Sequence, residues 1–369
     1  MAAALAVGRH GQGQTAPNPA VGAVLVQAGP AGPAGPVIVG AGSTAVGGRP
    51  HAERLALAQA GDRAAGATCY STLEPCSHFG RTSPCADALI AAGVAAVVIG
   101  VEDPNPAVAG QGTARLRAAG IAVRLGVRAD EAAYDLRGHI SRMTRRRPFV
   151  ALKLAVSADG GIGRTAMAPG AGQIAITGPA SRARAHLLRA EHDAIAVGVG
   201  TLVADNPRLT CRLPGLLGRS PVRVVLDSAA RTPPDAALFA DAQVPVIVVV
   251  DEGADPDRRA ALAARGADII AVPRRAAGLD LAATLNTLAE RGIGTVLAEG
   301  GAALAEALAA ADLVDEAHII RSDVRLGEGA IRPFAGDPVA ALRNPLRVTD
   351  RRLVGADTWT HLKRPCLPE

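Results

Sequence analysis

Short β-branched runs alternate with Ala-rich helical stretches along most of this chain, and that alternation constrains the fold more than any other feature. Strands joined by crossover helices call for a largely parallel sheet flanked by helices, an α/β architecture with ligands at the carboxyl ends of the strands. In the first half, Met1 to Arg9 reads as a helix, and Val21 to Val26 pairs with Val37 to Val39 around the Gly/Pro-rich turn Gly29 to Pro36. Helix His51 to Ala60, strand Ala67 to Thr72, helix Cys85 to Ala92 and strand Ala95 to Val101 follow. Helix Thr113 to Ala119, strand Ile121 to Leu125 and helix Ala129 to Met143 complete that half. The second half opens with strand Phe149 to Val156, helix Ser181 to Ala190 and strand Ala194 to Val199, then strands Val222 to Leu226 and Val244 to Val250. It continues with helix Pro256 to Arg265, strand Asp268 to Val272, helix Leu281 to Arg291, strand Thr295 to Ala298 and helix Ala302 to Ala311.

At about 150 residues per domain, 369 residues suggest two domains, and Thr144 to Pro148 with its three arginines marks the boundary between 1–144 and 149–369. No apolar run reaches the roughly 18 residues that a membrane span needs. Met1 to Arg9 lacks a basic region ahead of its apolar residues, so it reads as a helix and not as an export signal. Five cysteines make no disulfide framework and fit a reducing cytoplasm, where Cys more often serves metals or catalysis. A net charge of +5 permits nucleic-acid binding, but the basic residues are scattered, and four Phe, two Tyr and one Trp offer few platforms for bases. A small anionic substrate accounts for the excess equally well.

Three segments carry the ingredients of one metal site: His51-Ala52-Glu53, Pro75-Cys76 and Pro84-Cys85. One imidazole and two thiolates are three ligands for a tetrahedral zinc, with the fourth position open to water, as catalytic zinc requires. Zinc acidifies that water, and a carboxylate that is not a ligand can shuttle protons; Glu53 has that position. His-x-Glu with Pro-Cys is the signature of zinc deaminases, which exchange an exocyclic ring amine for oxygen. Taken singly, His51 could be an ordinary helix-start histidine, Cys76 and Cys85 buried thiols, and Glu53 a first-turn charge; Cys69, Cys211 and Cys366 lack comparable company. A strand followed by Gly40-Ala41-Gly42-Ser43-Thr44-Ala45 imitates a dinucleotide fingerprint, but Gly47, Gly48 and Pro50 forbid the helix that should follow.

Nucleobase deaminases usually place two residues between their cysteines, whereas eight separate Cys76 from Cys85. Thr72-Leu73-Glu74-Pro75-Cys76-Ser77-His78-Phe79-Gly80-Arg81-Thr82-Ser83-Pro84-Cys85 resembles the motif of the bifunctional riboflavin-biosynthesis deaminase-reductases. Pro17-Asn18-Pro19 with Val21-Gly22, and Asp103-Pro104-Asn105-Pro106 with Val108-Ala109-Gly110, resemble it as well. The resemblance implies an amino-terminal cytidine-deaminase-like α/β/α domain that deaminates a diaminopyrimidine carrying a ribosylamino 5-phosphate. It places Asn18, Arg81, Thr82 and Asn105 at substrate or phosphate positions, with one Zn2+ per chain. Thr44 departs from the pattern, standing where the family usually has a histidine.

The second half resembles the family's reductase. Lys153-Leu154-Ala155, Ser157-Ala158-Asp159-Gly160, Leu188-Arg189-Ala190, Gly200-Thr201, Ala204-Asp205-Asn206-Pro207, Leu209-Thr210 with Arg212, and Glu299-Gly300-Gly301 carry the likeness. It implies a dihydrofolate-reductase-like α/β domain that uses NADPH to reduce the ribosyl group of the deaminated product to ribityl. Val156, Thr201, Asp205, Ser228, Gly300 and Gly301 fall on cofactor positions, and Lys153, Arg189, Leu209, Arg212 and Glu299 on substrate positions. Read without the family, Gly300-Gly301 is a weak phosphate cradle, Arg189 and Arg212 could be solvated, and Asp205 could serve a turn. Ala175 replaces the family's Trp, the Asp159 to Thr177 stretch is lengthened, and Ser322 to Gly327 replaces Pro-x-Leu-Leu-Gly. These departures motivate an alternative, a deaminase whose reductase half is kept for structure or regulation. The resemblance otherwise implies a small phosphorylated pyrimidine as the partner, no nucleic acid or membrane, and allows a homo-oligomer through the reductase half.

Overall fold

The β-branched runs of the first half pair into one sheet, and glycine sets how closely its helices lie upon it. The computed structural model describes residues 1–28, 35–78, 83–106, 108–165, 174–275 and 278–365. The chain divides into two compact units, Met1–Pro148 with Ala289–Gly294, and Phe149–Leu288 with Thr295–Glu369.

In the first unit, α1 (Ala2–Arg9) precedes β1 (Gly22–Gln27) and β2 (Val37–Ser43). Then come α2 (Ala52–Ala60), β3 (Thr68–Leu73), α3 (Cys85–Ala91), β4 (Ala96–Val101), α4 (Gln111–Ala118), β5 (Ala122–Leu125), α5 (Ala129–Asp135) and α6 (Arg137–Arg145). The sheet order is β2-β1-β3-β4-β5, with β1 antiparallel to both neighbours and β3, β4 and β5 mutually parallel. Leu25, Val39, Cys69, Val97 and Ile99 from the sheet pack with Ala56, Leu89 and Leu116 from the helices. The glycines of the imitation fingerprint have a packing role: a Cβ on Gly40 would lie 2.1 Å from the Ala56 carbonyl oxygen, and one on Gly42 2.5 Å from that of Ala52. Only bare backbone lets α2 sit this low on β2. The single helix expected over Ala129 to Met143 is instead two, because Leu136 leaves helical geometry (φ −98°, ψ 13°) between α5 and α6.

The second unit begins with β6 (Phe149–Val156), β7 (Gly163–Arg164), α7 (Pro179–Glu191), β8 (Ala194–Gly198), α8 (Val199–Asp205), β9 (Val222–Leu226) and β10 (Val246–Asp251). It continues through α9 (Pro256–Ala264), β11 (Ala267–Val272), β12 (Arg274–Arg275), β13 (Gly278–Leu279), α10 (Leu281–Glu290), β14 (Thr295–Ala298) and α11 (Ala302–Ala310). Last come β15 (Glu316–Arg321), β16 (Ala330–Ile331), α12 (Pro338–Leu342), β17 (Arg347–Val354) and β18 (Asp357–Lys363). The main sheet runs β11-β10-β9-β8-β14-β6-β15-β18-β17 and is parallel up to β15, after which β18 and β17 return antiparallel. Parallel strands buried on both faces read as continuous apolar runs, as Val246–Val250 does, and their carboxyl ends gather the residues of the second site.

Candidate active sites

His51 is the N-cap of α2, in extended geometry (φ −70°, ψ 158°), and Glu53 lies in the first turn of the same helix. Cys76 follows β3, and Cys85 opens α3 directly after Pro84. Each functional side chain therefore leaves a strand end or a helix start, where backbone direction is fixed by secondary structure on one side. His51 Nδ1 stands 3.6 Å from Cys76 Sγ and 3.4 Å from Cys85 Sγ. With Zn–S near 2.3 Å and Zn–N near 2.0 Å, the nitrogen-to-sulfur edge of a tetrahedron is about 3.5 Å, so these three atoms already have the spacing of a zinc face. The Cys85 backbone N–H donates to Cys76 Sγ at 3.3 Å. Hydrogen bonding from Cys85, then from His51, pulls the Cys76 thiol down to about 4, while the bond to Cys76 and burial push the Cys85 thiol up. Cys69, buried and pushed up by that burial, is an inert core thiol.

Glu53 is 4% exposed, and burial raises its carboxyl above the ordinary value. Ser71 Oγ on β3 donates to Glu53 Oε1 at 3.3 Å, a partner that sequence reasoning missed. Asn18 Nδ2 donates to the Gly48 carbonyl at 2.8 Å. Thr44 is buried, and its Oγ1 accepts the Val21 N–H at 3.0 Å, so the residue replacing the family histidine pins the backbone next to Pro17-Asn18-Pro19. Arg81 and Thr82 lie outside the described residues, as does Cys366. The described ends of their segment are anchored: Arg115 Nη1 donates to the Ser77 carbonyl at 3.1 Å and Arg54 Nη2 to the Ser83 carbonyl at 2.8 Å. Asn105 sits in a loop clamped by the buried Glu74, whose Oε2 accepts from the Asp103 and Gly110 N–H groups and whose Oε1 accepts from Thr113.

In the second unit, Lys153, Arg189 and Glu299 converge from β6, α7 and the end of β14. Arg189 Nε and Nη2 donate to the two Glu299 oxygens at 2.8 and 2.9 Å, and Lys153 Nζ lies 3.3 Å from Oε2. Burial alone would push the Glu299 carboxyl up, but the Arg189 and Lys153 charges hold it well below the carboxylate range. Arg189 Nη1 also donates to the Thr210 carbonyl at 3.1 Å, beside Leu209, which adopts φ +57°. Arg212 is exposed, and its N–H reaches His186 Nδ1 at 3.4 Å. Thr201, in the first turn of α8, accepts the Gly301 N–H at 2.9 Å, which links the carboxyl ends of β8 and β14. A Cβ on Gly300 would fall 2.7 Å from Leu304, and one on Gly301 3.1 Å from Thr201 Oγ1, so bare backbone at the start of α11 packs closely on these two side chains. Asp205 closes α8 and is raised by burial; Ser228 lies at the end of β9, where its carbonyl accepts the Asp251 N–H. Val156 is buried at the end of β6 and its carbonyl accepts the Ser322 N–H. The divergent Ser322 to Gly327 segment is held in place, since Asp159 accepts from the Leu326 and Gly327 N–H groups at 3.1 and 2.8 Å. Ala175 is exposed.

Glu316, His318 and His361 also cluster within metal-binding reach, on β15 and β18. The His318 and His361 rings stack 4.6 Å apart, with Nε2 atoms 2.9 and 2.5 Å from Glu316 Oε1. Trp359 Nε1–H, a donor only, is spent on His318 Nδ1 at 3.2 Å. Nδ1 then carries the lone pair and Nε2 the proton, which leaves His318 unable to offer Nε2 to a metal. This cluster is a proton-holding tie between two strands.

Among the described residues no helix is long and apolar enough to cross a membrane. Residues 1–101 match the cytidine and deoxycytidylate deaminase zinc-binding region, and residues 148–358 match the RibD C-terminal domain. The chain is 39% identical over 361 residues to the riboflavin biosynthesis protein RibD of Bacillus amyloliquefaciens, covering 97% of this chain and 93% of that one. It is 39% identical over 375 residues to RibD of Escherichia coli, covering 98% of each. Among solved structures, RibD of Acinetobacter baumannii superposes with a TM-score of 0.84 at 34% identity, over 98% of this chain and 97% of that one. A diaminohydroxyphosphoribosylaminopyrimidine deaminase/5-amino-6-(5-phosphoribosylamino)uracil reductase from Thermotoga maritima superposes at 0.82 with 33% identity, over 99% and 97%.

Proposed function

The chain belongs to the RibD family, and from that membership we propose how its residues divide the work of a bifunctional deaminase-reductase in riboflavin biosynthesis. The observation that carries the first step is the zinc-sized triangle of His51, Cys76 and Cys85 beside the buried Glu53. Those three residues would hold zinc, which when bound supplies a water acidic enough to ionise near neutrality. Glu53, raised by burial toward the working range, takes a proton from the water and returns it to the departing amine, so that C–NH2 and water become C=O and ammonia. Asn18 and Asn105, with Arg81 and Thr82, hold the pyrimidine and its phosphate.

In the second half NADPH would rest on Thr201, Gly300 and Gly301, with Val156, Asp205 and Ser228 lining its site, and supplies a hydride. Arg189 fixes Glu299, and Lys153 beside it delivers the proton that balances the hydride when the ribosyl ring opens to ribityl. Leu209 and Arg212 complete the substrate side. The assembled Lys153, Arg189 and Glu299 group favours a working reductase over a degenerate one. Free thiols at Cys69, Cys76, Cys85 and Cys211 fit a reducing cytoplasm.

Mass spectrometry of the diaminopyrimidine ribotide incubated with zinc-loaded protein tests both steps. Exchange of amine for carbonyl is expected without NADPH, and a further gain of two hydrogens with it. Deamination without reduction would restore the degenerate reading, and an unchanged ribotide would overturn the assignment of the first half.

A further inference from the structure

We propose that His139 is a positioning residue for deamination, acting through Asp103 on the loop that presents Asn105. This rests on the reading that Asn105 meets the substrate. His139 projects from α6, far in sequence from the zinc motif, and its Nε2 lies 3.0 Å from Asp103 Oδ1. The two side chains are only 11% and 13% exposed, so solvent screens the pair weakly. The same Oδ1 accepts the Asn105 backbone N–H at 3.0 Å. One carboxylate oxygen thus joins a helix to the backbone of the substrate-facing residue.

The loop is otherwise held by Glu74, which receives the N–H groups of Asp103 and Gly110 and draws the two ends together. Between those ends the Asn105 carbonyl accepts the Val108 and Ala109 N–H groups at 2.8 and 2.9 Å, and Asp103 holds the N–H on the other side of the same residue. A carboxylate out of bulk water holds two donors well only while it is ionised. Burial would push the Asp103 carboxyl up, but the His139 hydrogen bond leads the effects that bring it below its ordinary value. Because the carboxylate can only accept, His139 Nε2 donates, and the Asn105 N–H is aimed at a full negative charge. Without that donor, the carboxylate would turn toward water and the Asn105 N–H would lose its charged partner, loosening one side of a residue held on the other by its carbonyl.

Three variants of the full-length, zinc-loaded protein test this: His139→Phe, which keeps a ring and loses the donor; His139→Gln, which keeps a donor; and Asn105→Ala. Steady-state deamination of the pyrimidine ribotide is read with zinc content and NADPH-dependent reduction. H139F is expected to raise KM about tenfold, the scale of one hydrogen bond to a charged group, while kcat falls much less and zinc is retained. H139Q should recover most of the loss, and N105A should raise KM by at least as much as H139F. Wild-type KM in H139F beside a raised KM in N105A would overturn the role of His139. An unchanged KM in N105A would instead overturn the substrate reading beneath it, and a kcat loss without a KM change, not rescued by H139Q, would show a merely structural residue.

Discussion

Arg189 of α7 grips Glu299 as a fork, Nε to Oε1 at 2.8 Å and Nη2 to Oε2 at 2.9 Å, just past the end of β14, whose neighbour β6 contributes Lys153. Arg189→Ala leaves Glu299 with a single partner in a buried place and is expected to cost the second unit about 3 kcal/mol of stability. Arg189→Lys should keep the charge and lose the fork, lowering ribotide reduction at least tenfold while leaving deamination at the wild-type rate. Denaturant unfolding and NADPH oxidation check the two parts.

Glu53→Gln keeps the shape of the first site and removes its proton carrier. Deamination should fall by about 10²- to 10⁴-fold, with zinc content unchanged by elemental analysis. Zinc loss in this variant would mean that the carboxylate helps hold the metal.

Removal of zinc by a chelator should abolish deamination and spare reduction, and the native chain should hold a single zinc ion. Cys85→Ser should hold none. Zinc retained in C85S would mean that Glu316, His318 and His361 bind metal despite the Trp359 hydrogen bond.

His186 is held down to about 4, by burial first and then by the charges of Arg189 and Arg212. A base depressed in the fold stays neutral there while the unfolded chain, near 6.5, takes up a proton. Its stabilising effect is therefore complete above pH 6.5 and is lost as pH falls toward 4. Unfolding midpoints at pH 7 and pH 5 should drop more in the wild type than in His186→Asn, and equal drops would refute the linkage.

Thr44→Val retains volume and removes one of the two acceptors of the buried Val21 N–H, leaving the Pro19 carbonyl. The loss should be that of one hydrogen bond, about 0.5–1.5 kcal/mol in the first unit, seen as an earlier unfolding transition.

The zinc triangle was legible because His51 and Cys85 stand at helix starts and Cys76 lies three residues past the end of β3, so motif spacing translates closely into space. The parallel strands were legible for a similar reason, as uninterrupted apolar runs. β15, β17 and β18 were not: Glu316 and His318 are polar yet buried, and β17 is an exposed edge carrying Arg347, Arg351 and Arg352 without apolar alternation. The break at Leu136 has no Gly or Pro at its own position, and Gly138, two residues on, lies inside the first turn of α6. Contacts such as Gly301 to Thr201, Arg189 to Glu299 and His139 to Asp103 join residues 36 to 110 positions apart, and only the topology brings them together. Of the first site's expected substrate residues, Asn18 and Asn105 are placed on described backbone, and their roles came from resemblance, since Asn beside Pro reads locally as a turn.

The low seat of α2 on Gly40 and Gly42 carries a consequence for how this enzyme tolerates change. His51 and Glu53 stand at the start of that helix, whereas Cys76 lies in the loop after β3 and Cys85 opens α3. A methyl group added at either glycine would lift one set of ligands away from the other. In a saturation screen scored only by deaminase output, two residues that touch neither zinc nor pyrimidine would then rank with the catalytic set.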